Sequence, residues 1–148
     1  MAMGRGRGGY TEKQTSYKDS GGYKVTDQGA AFVAERYIDQ GYEAVFRQKH
    51  DGVKTYDLTI KTSDDQEYVK NIEVKRVTSE SPSQMAKNIK EGFEQVGEGD
   101  TVAVYLPNHT NCKSSVAFAK EAYAEAKRKG WVNGSVEVWF NDKTKIDF

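Results

Sequence analysis

The chain has a single cysteine, Cys112, among its 148 residues, so it can form no internal disulfide and build no zinc cluster from thiolates. Histidine is nearly as scarce: His50 and His109 stand far apart in sequence, which speaks against a histidine-built metal site. Excess charge of either sign is missing, Lys+Arg and Asp+Glu both numbering 22. Proteins that hold nucleic acid through their overall field are usually basic, so a polyanion partner here needs a local basic surface or a metal ion. No apolar run reaches the ~18 residues of a membrane-spanning helix, and the opening MAMGRGRGG lacks the apolar stretch of a signal peptide. The expectation is a chain with no membrane anchor, acting in the cytoplasm or delivered there by means these residues do not encode.

What is there fits one domain behind a tail. Residues 1–24, with GRGRGG and TEKQTSYKDSGG, are polar, glycine-rich and without periodicity, and read as a flexible linker. Arg5 and Arg7 among the glycines are also the kind of pair that touches nucleic acid. Residues 25–148 carry the periodic segments. A first helix is predicted from a cap at Thr26 or Asp27 to Gln40, with Gly41 as its stop. Strands are predicted at 42–48, 53–60 and 68–77, with turns at His50-Asp51-Gly52 and around Asp65. A helix capped by Ser81 or Ser83 is predicted to run to about Val96. TVAVYLP (101–107) reads as a central strand, and 114–130 as a helix capped by Ser114 or Ser115. Strands at 135–140 and 145–148 close the chain. The order predicts an α/β (α+β) fold, a mixed central sheet flanked by helices.

One strand carries an odd polar face. In NIEVKRV (71–77), Ile72, Val74 and Val77 alternate with Glu73 and Lys75, which point the same way. If the preceding turn centres on Asp65, Asp57 falls directly opposite Glu73 on the neighbouring strand. Two carboxylates side by side repel, so a sheet gains nothing from the pair unless a cation sits between them. Mg²⁺ or Mn²⁺ takes carboxylate oxygen and keeps water ligands, and a lysine nearby can stabilise charge on a phosphate. Asp, then Glu-x-Lys on the next strand, is a minimal kit for metal-dependent phosphodiester hydrolysis. The plainer alternative is a solvated face of mixed charge. Arg76 points to the opposite side and drops out of the site.

YDLTI, NIEVKR, the following helix and TVAVYL together resemble the PD-(D/E)XK nuclease superfamily over roughly residues 27–107. The resemblance implies a restriction-endonuclease-like αβββαβ core, here with a C-terminal αβ extension. It implies Asp57 and Glu73 as metal ligands and Lys75 as the catalytic lysine. The hallmark proline is absent, Tyr56 standing before Asp57. Members often add a glutamate from the first helix, for which Glu35 is the nearer match and Glu43 the other candidate. The small size, polar tail and KNIKEGFEQV before an apolar strand are similar to C-terminal nuclease toxin domains of contact-dependent growth inhibition and other polymorphic toxin systems. That similarity implies Gln95 close to the catalytic group, Asn88 on the same helix face binding substrate, and Lys87 and Lys90 meeting phosphate.

The resemblance therefore implies a metal-dependent endonuclease. As a toxin domain it would be delivered with a secreted protein, act in the bacterial cytoplasm on tRNA, or next on DNA, and be matched by a cognate immunity protein. Two other readings fit the same residues: a non-catalytic binding module that uses the strand charges as an interface, and a phage- or plasmid-borne DNA nuclease of restriction or junction-resolving type. Outside the strand face, His109 and Cys112 follow TVAVYLP, at the carboxyl end of a strand where ligands often bind. Cys112 as a nucleophile wants a base; His109 is available, but the sequence shows no third member.

Overall fold

The computed structural model describes residues 27–47, 57–62 and 67–148. Its elements run α1 (Gln28–Asp39), β1 (Tyr42–Phe46), β2 (Leu58–Thr62), β3 (Tyr68–Arg76), α2 (Pro82–Phe93), β4 (Thr101–Leu106), α3 (Lys113–Arg128), β5 (Ser135–Phe140) and β6 (Lys145–Asp147). The fold is mixed α/β, one six-stranded sheet in the order β1-β2-β3-β4-β5-β6. β1, β2 and β3 form an antiparallel meander, β3, β4 and β5 run parallel, and β6 returns antiparallel. Parallel neighbours need a crossover, and α2 and α3 supply the two.

Local chemistry sets the helix ends. The Asp27 side chain accepts from the Ala30 N–H at the start of α1, and Gly41, at φ 97°, follows its end in the left-handed region. Ser81 caps α2 by accepting from the Gln84 N–H, with Pro82 in the first turn. α2 stops at Phe93, short of the expected Val96, because the Gln95 N–H turns back onto the Gly92 carbonyl in a tighter turn. At α3 neither Ser114 nor Ser115 is the cap. Cys112 occupies that position without a side-chain capping bond, and both serines lie in the first turn. β2 runs on through Thr62, two residues into the segment expected to turn, while its expected start at residue 53 lies outside the described residues. The turns at His50-Asp51-Gly52 and Asp65, and the tail of residues 1–24, lie outside the described residues.

Strand alternation divides the core in two. Leu58, Ile60, Ile72, Val74, Ala103 and Trp139 pack against Val33, Ala34, Tyr37 and Ile38 of α1. The opposite sheet face sends Val102, Val104, Leu106, Val136, Val138 and Phe140 onto Met85, Ile89 and Phe93 of α2 and Ala119, Ala122 and Ala126 of α3. α3 packs chiefly on α2. Gly92 lets α2 lie close on the sheet: a Cβ there would stand 2.8 Å from Cγ1 of Val102. Among the described residues, no helix is long and apolar enough to cross a membrane.

Candidate functional site

β3 carries its apolar residues Ile72 and Val74 to the α1 face, so Glu73 and Lys75 point to the other side. The β2–β3 ladder pairs Leu58 with Ile72 and Thr59 with Asn71, in line with a turn centred on Asp65. It ends at Leu58 and Ile72: the Asp57 N–H donates to the Ile72 carbonyl at 2.9 Å and not to Glu73, so Asp57 stands just before the strand and not in a ladder pair with Glu73. The Asp57 carboxylate then accepts from the Val74 N–H at 2.7 Å. Val74 is the residue between Glu73 and Lys75, so the carboxylate docks where those two side chains depart. Lys75 Nζ lies 3.6 Å from Glu73 Oε2. Glu73 is only 6% exposed, an unusual setting for a carboxylate, and the Lys75 ammonium supplies partial compensation.

The same face continues toward β1. Thr59 donates its hydroxyl to Asn71 Oδ1 at 2.7 Å, and Glu43 and Lys61 stand opposite each other two ladder steps beyond Val45 and Thr59. Glu43 is buried on this face. Glu35 is on α1, which covers the other face, and its carboxylate pairs with Arg36 at 2.6 Å. Of the two glutamates offered as a third acid, only Glu43 shares a sheet face with Glu73. Among the described residues, no three of His, Cys, Asp and Glu gather as a metal-holding group, so Glu35, Asp57 and Glu73 do not form a three-carboxylate centre. The structure offers instead the Asp57 carboxylate on the Val74 amide, with Glu73 and Lys75 on either side of Val74 in sequence. Mg²⁺ commonly takes one or two protein carboxylates and keeps water and phosphate oxygen for the rest, so this donor set suits it.

α2 separates its expected substrate contacts. Ser83 bonds Glu125 of α3, and Lys90 Nζ sits 5.4 Å over the Trp131 ring, so that flank faces α3. Helical spacing places Lys87 near the same flank, where it is exposed. Asn88 lies on the opposite flank with Gly92, which approaches Val102, the ladder partner of Glu73. Asn88 is held along the helix by Gln84 at 3.4 Å and Glu91 at 3.5 Å. Gln95 does not share a helix face with Asn88, because the helix has ended before it.

A second polar group, on the α1 face, was not foreseen. Glu137 of β5 is 1% exposed and accepts from the Tyr37 hydroxyl, from Lys70 Nζ at 2.8 Å and from the Trp139 indole N–H at 3.0 Å. Lys70 also donates to the Tyr37 oxygen at 3.0 Å. Burial first, then the adjacent Glu137, pushes the Tyr37 hydroxyl well above its ordinary pKa, so it remains a donor. The signal available in the sequence was a carboxylate inside SVEVWF, a strand apolar at nearly every other position.

Compared with family models, with curated proteins and with solved structures, the chain matches none.

Proposed function

We propose that this chain is a metal-dependent endonuclease with a restriction-endonuclease-like core, and that it is a bacterial toxin domain acting on tRNA, with DNA as the next substrate. The observation that carries this reading is that the Asp57 carboxylate accepts from the Val74 amide, between Glu73 and Lys75, whose charged groups lie 3.6 Å apart. Asp57 and Glu73 would hold Mg²⁺ or Mn²⁺, which when bound supplies a Lewis acid and an activated water for phosphodiester hydrolysis. Lys75 is catalytic in this scheme: once Glu73 turns to the metal, its ammonium is released to stabilise negative charge on the phosphate. Asn88 is the helix residue positioned to bind substrate on that side; Gln95 belongs to the turn that follows. The proposed immunity partner and delivery route follow from the toxin reading alone.

The test is incubation of the purified chain with tRNA and with plasmid DNA, with Mg²⁺ or Mn²⁺ and with EDTA. Cleavage that EDTA stops, and that falls on the order of 10³-fold in Glu73→Gln and Lys75→Ala, is the expected result. Undiminished cleavage by Glu73→Gln would sink the assignment. One observation favours a non-catalytic binding module: Asp57 and Lys75 both already have partners within the fold. That reading predicts no cleavage and no Mn²⁺ uptake by calorimetry that depends on Asp57.

A further inference from the structure

β3 carries one residue more than the strand it pairs with. Ile60 is the partner of Lys70 and the next residue, Lys61, is the partner of Tyr68, so Val69 stands between the two pairs as a β-bulge. Strict alternation would send Tyr68 to the α1 face, where Lys70 meets Tyr37 and where Ile72 and Val74 pack. The extra residue reverses that. Ile60 packs into the core under α1, so Lys61 points to the opposite face, and directly opposed residues of an antiparallel pair share a face. Tyr68 therefore joins Lys61, Glu43, Glu73 and Lys75 on the side of the sheet that carries the proposed metal site.

The bulge leaves an aromatic ring in water. Tyr68 is 57% exposed and Val69 37%, and these are the two exposed large apolar side chains among the described residues. The core gains little from such a ring, yet its tip is fixed. The Tyr68 hydroxyl donates to Asp100 Oδ1 at 3.0 Å, and Asp100 Oδ2 accepts from the Gly97 N–H at 3.1 Å. Asp100 directly precedes Thr101, the β4 partner of Ile72, and Glu73 is the next residue of β3. The ring is thus drawn along the sheet toward Glu73. A ring already held at its tip loses little further freedom when a flat group settles on its face. Lys61, directly across the ladder, supplies a cation on the same face.

We propose that Tyr68 is a stacking platform for an unpaired base of a single-stranded nucleic acid, with Lys61 holding a phosphate beside it. The proposal rests on the reading of this face as the one that holds substrate. Every base has a π-face, so stacking on a tyrosine tolerates any sequence but requires the base to be out of its helix. Loops and single-stranded ends offer such bases, and an intact duplex does not. The Asp100 carboxylate at the tip repels phosphate, which leaves the Lys61 side of the ring for the backbone. At roughly 3.3 Å per residue, Tyr68 and Glu73 lie no more than about 17 Å apart along β3. A strand with one base on Tyr68 therefore reaches the Glu73 carboxylate within a few nucleotides.

The test is binding of single-stranded oligonucleotides carrying one 2-aminopurine to the full chain in EDTA, which prevents metal-dependent cleavage. Stacking quenches 2-aminopurine, so its fluorescence reads the contact itself, and anisotropy of a labelled strand reads affinity. The wild-type chain should quench the probe saturably and bind the single strand more tightly than its duplex. Tyr68→Ala should abolish the quenching and weaken binding roughly five- to 150-fold. Tyr68→Phe keeps the ring and loses the Asp100 bond, and it should retain the quenching; a merely structural role for that bond makes the two variants alike. Lys61→Ala should reduce the salt slope of log Kd by about 0.7. Because the ring is in water, both Tyr68 variants should keep the wild-type urea midpoint. No quenching by the wild type, a preference for duplex, or undiminished binding by Tyr68→Ala overturns the proposal. The nuclease reading fails separately: cleavage without Tyr68-dependent quenching sinks the stacking site alone, and quenching without any cleavage sinks the nuclease alone.

Discussion

The two faces of the sheet each bury a glutamate beside a lysine, yet they are built differently. On the α1 face, Glu137 has three donors converging on its two oxygens, two of them uncharged side chains that are themselves buried. On the other face, Glu73 neighbours Val74, whose N–H the Asp57 carboxylate accepts, and its lysine lies at 3.6 Å rather than the 2.8 Å of the Lys70–Glu137 pair. A buried network with its acceptors filled by the chain itself is structural. The proposed function places its metal at the other glutamate, Glu73.

The largest effect that would break the comparison is on stability. Glu137→Ala leaves the Tyr37 hydroxyl, the Trp139 N–H and the Lys70 ammonium without their common acceptor. Removing one side of a buried charge pair costs about 3–5 kcal/mol, and urea denaturation should show a loss of that order. Glu73→Gln should move the same midpoint little, since it also relieves repulsion with Asp57. Equal destabilisation by both variants would mean that the two faces do the same structural work.

Asp57 sharpens the contrast next, because it belongs to both categories. Its carboxylate takes the Val74 N–H, a backbone bond in effect, and so locks the β2–β3 register while presenting charge beside Glu73. Asp57→Ala removes the acceptor and leaves a strand amide unsatisfied, at a cost of about 1–3 kcal/mol. Asp57→Asn keeps an acceptor oxygen and discards the charge. The expected outcome is near-wild-type stability for Asp57→Asn with cleavage lost as fully as in Asp57→Ala, read by denaturation and by the endpoint nuclease assay. Cleavage retained in Asp57→Asn would assign Asp57 to the ladder alone.

The pairing of Leu58 with Ile72 and Thr59 with Asn71 was legible because turn position and side-chain alternation constrain it together, whereas the irregularity between Ile60 and Lys61 was not. Element order was legible because each helix has an apolar stripe, with a polar side-chain cap on α1 and α2. Element ends were less so. The α2 boundary depended on a backbone bond, Gln95 N–H to the Gly92 carbonyl, that no residue preference announces, and this alone separated Gln95 from Asn88. The Glu137 network was invisible because it joins residues far apart in sequence, Tyr37 and Glu137 being 100 positions apart. Periodicity reports which face a side chain takes, not which distant element meets it there.

The smallest effect separates the two flanks of α2. Lys90 stands over Trp131 with Lys129 4.9 Å from the same ring, on the flank toward α3. Its side chain is engaged in a cation–π contact at an exposed site, worth about 0.5–1 kcal/mol. Asn88 lies on the flank toward the Glu73 face and makes only long polar contacts within the helix. Lys90→Ala should therefore lower stability by that fraction of a kilocalorie or slightly more, with KM for nucleic acid unchanged within about twofold. Asn88→Ala should leave stability within about 0.5 kcal/mol, as surface substitutions usually do, and raise KM with the fold intact. The reverse pattern, KM rising in Lys90→Ala and not in Asn88→Ala, would move the substrate from the β1–β2–β3 face to the groove between α2 and α3. The nucleic acid would then lie on the far side of α2 from Asp57 and Glu73.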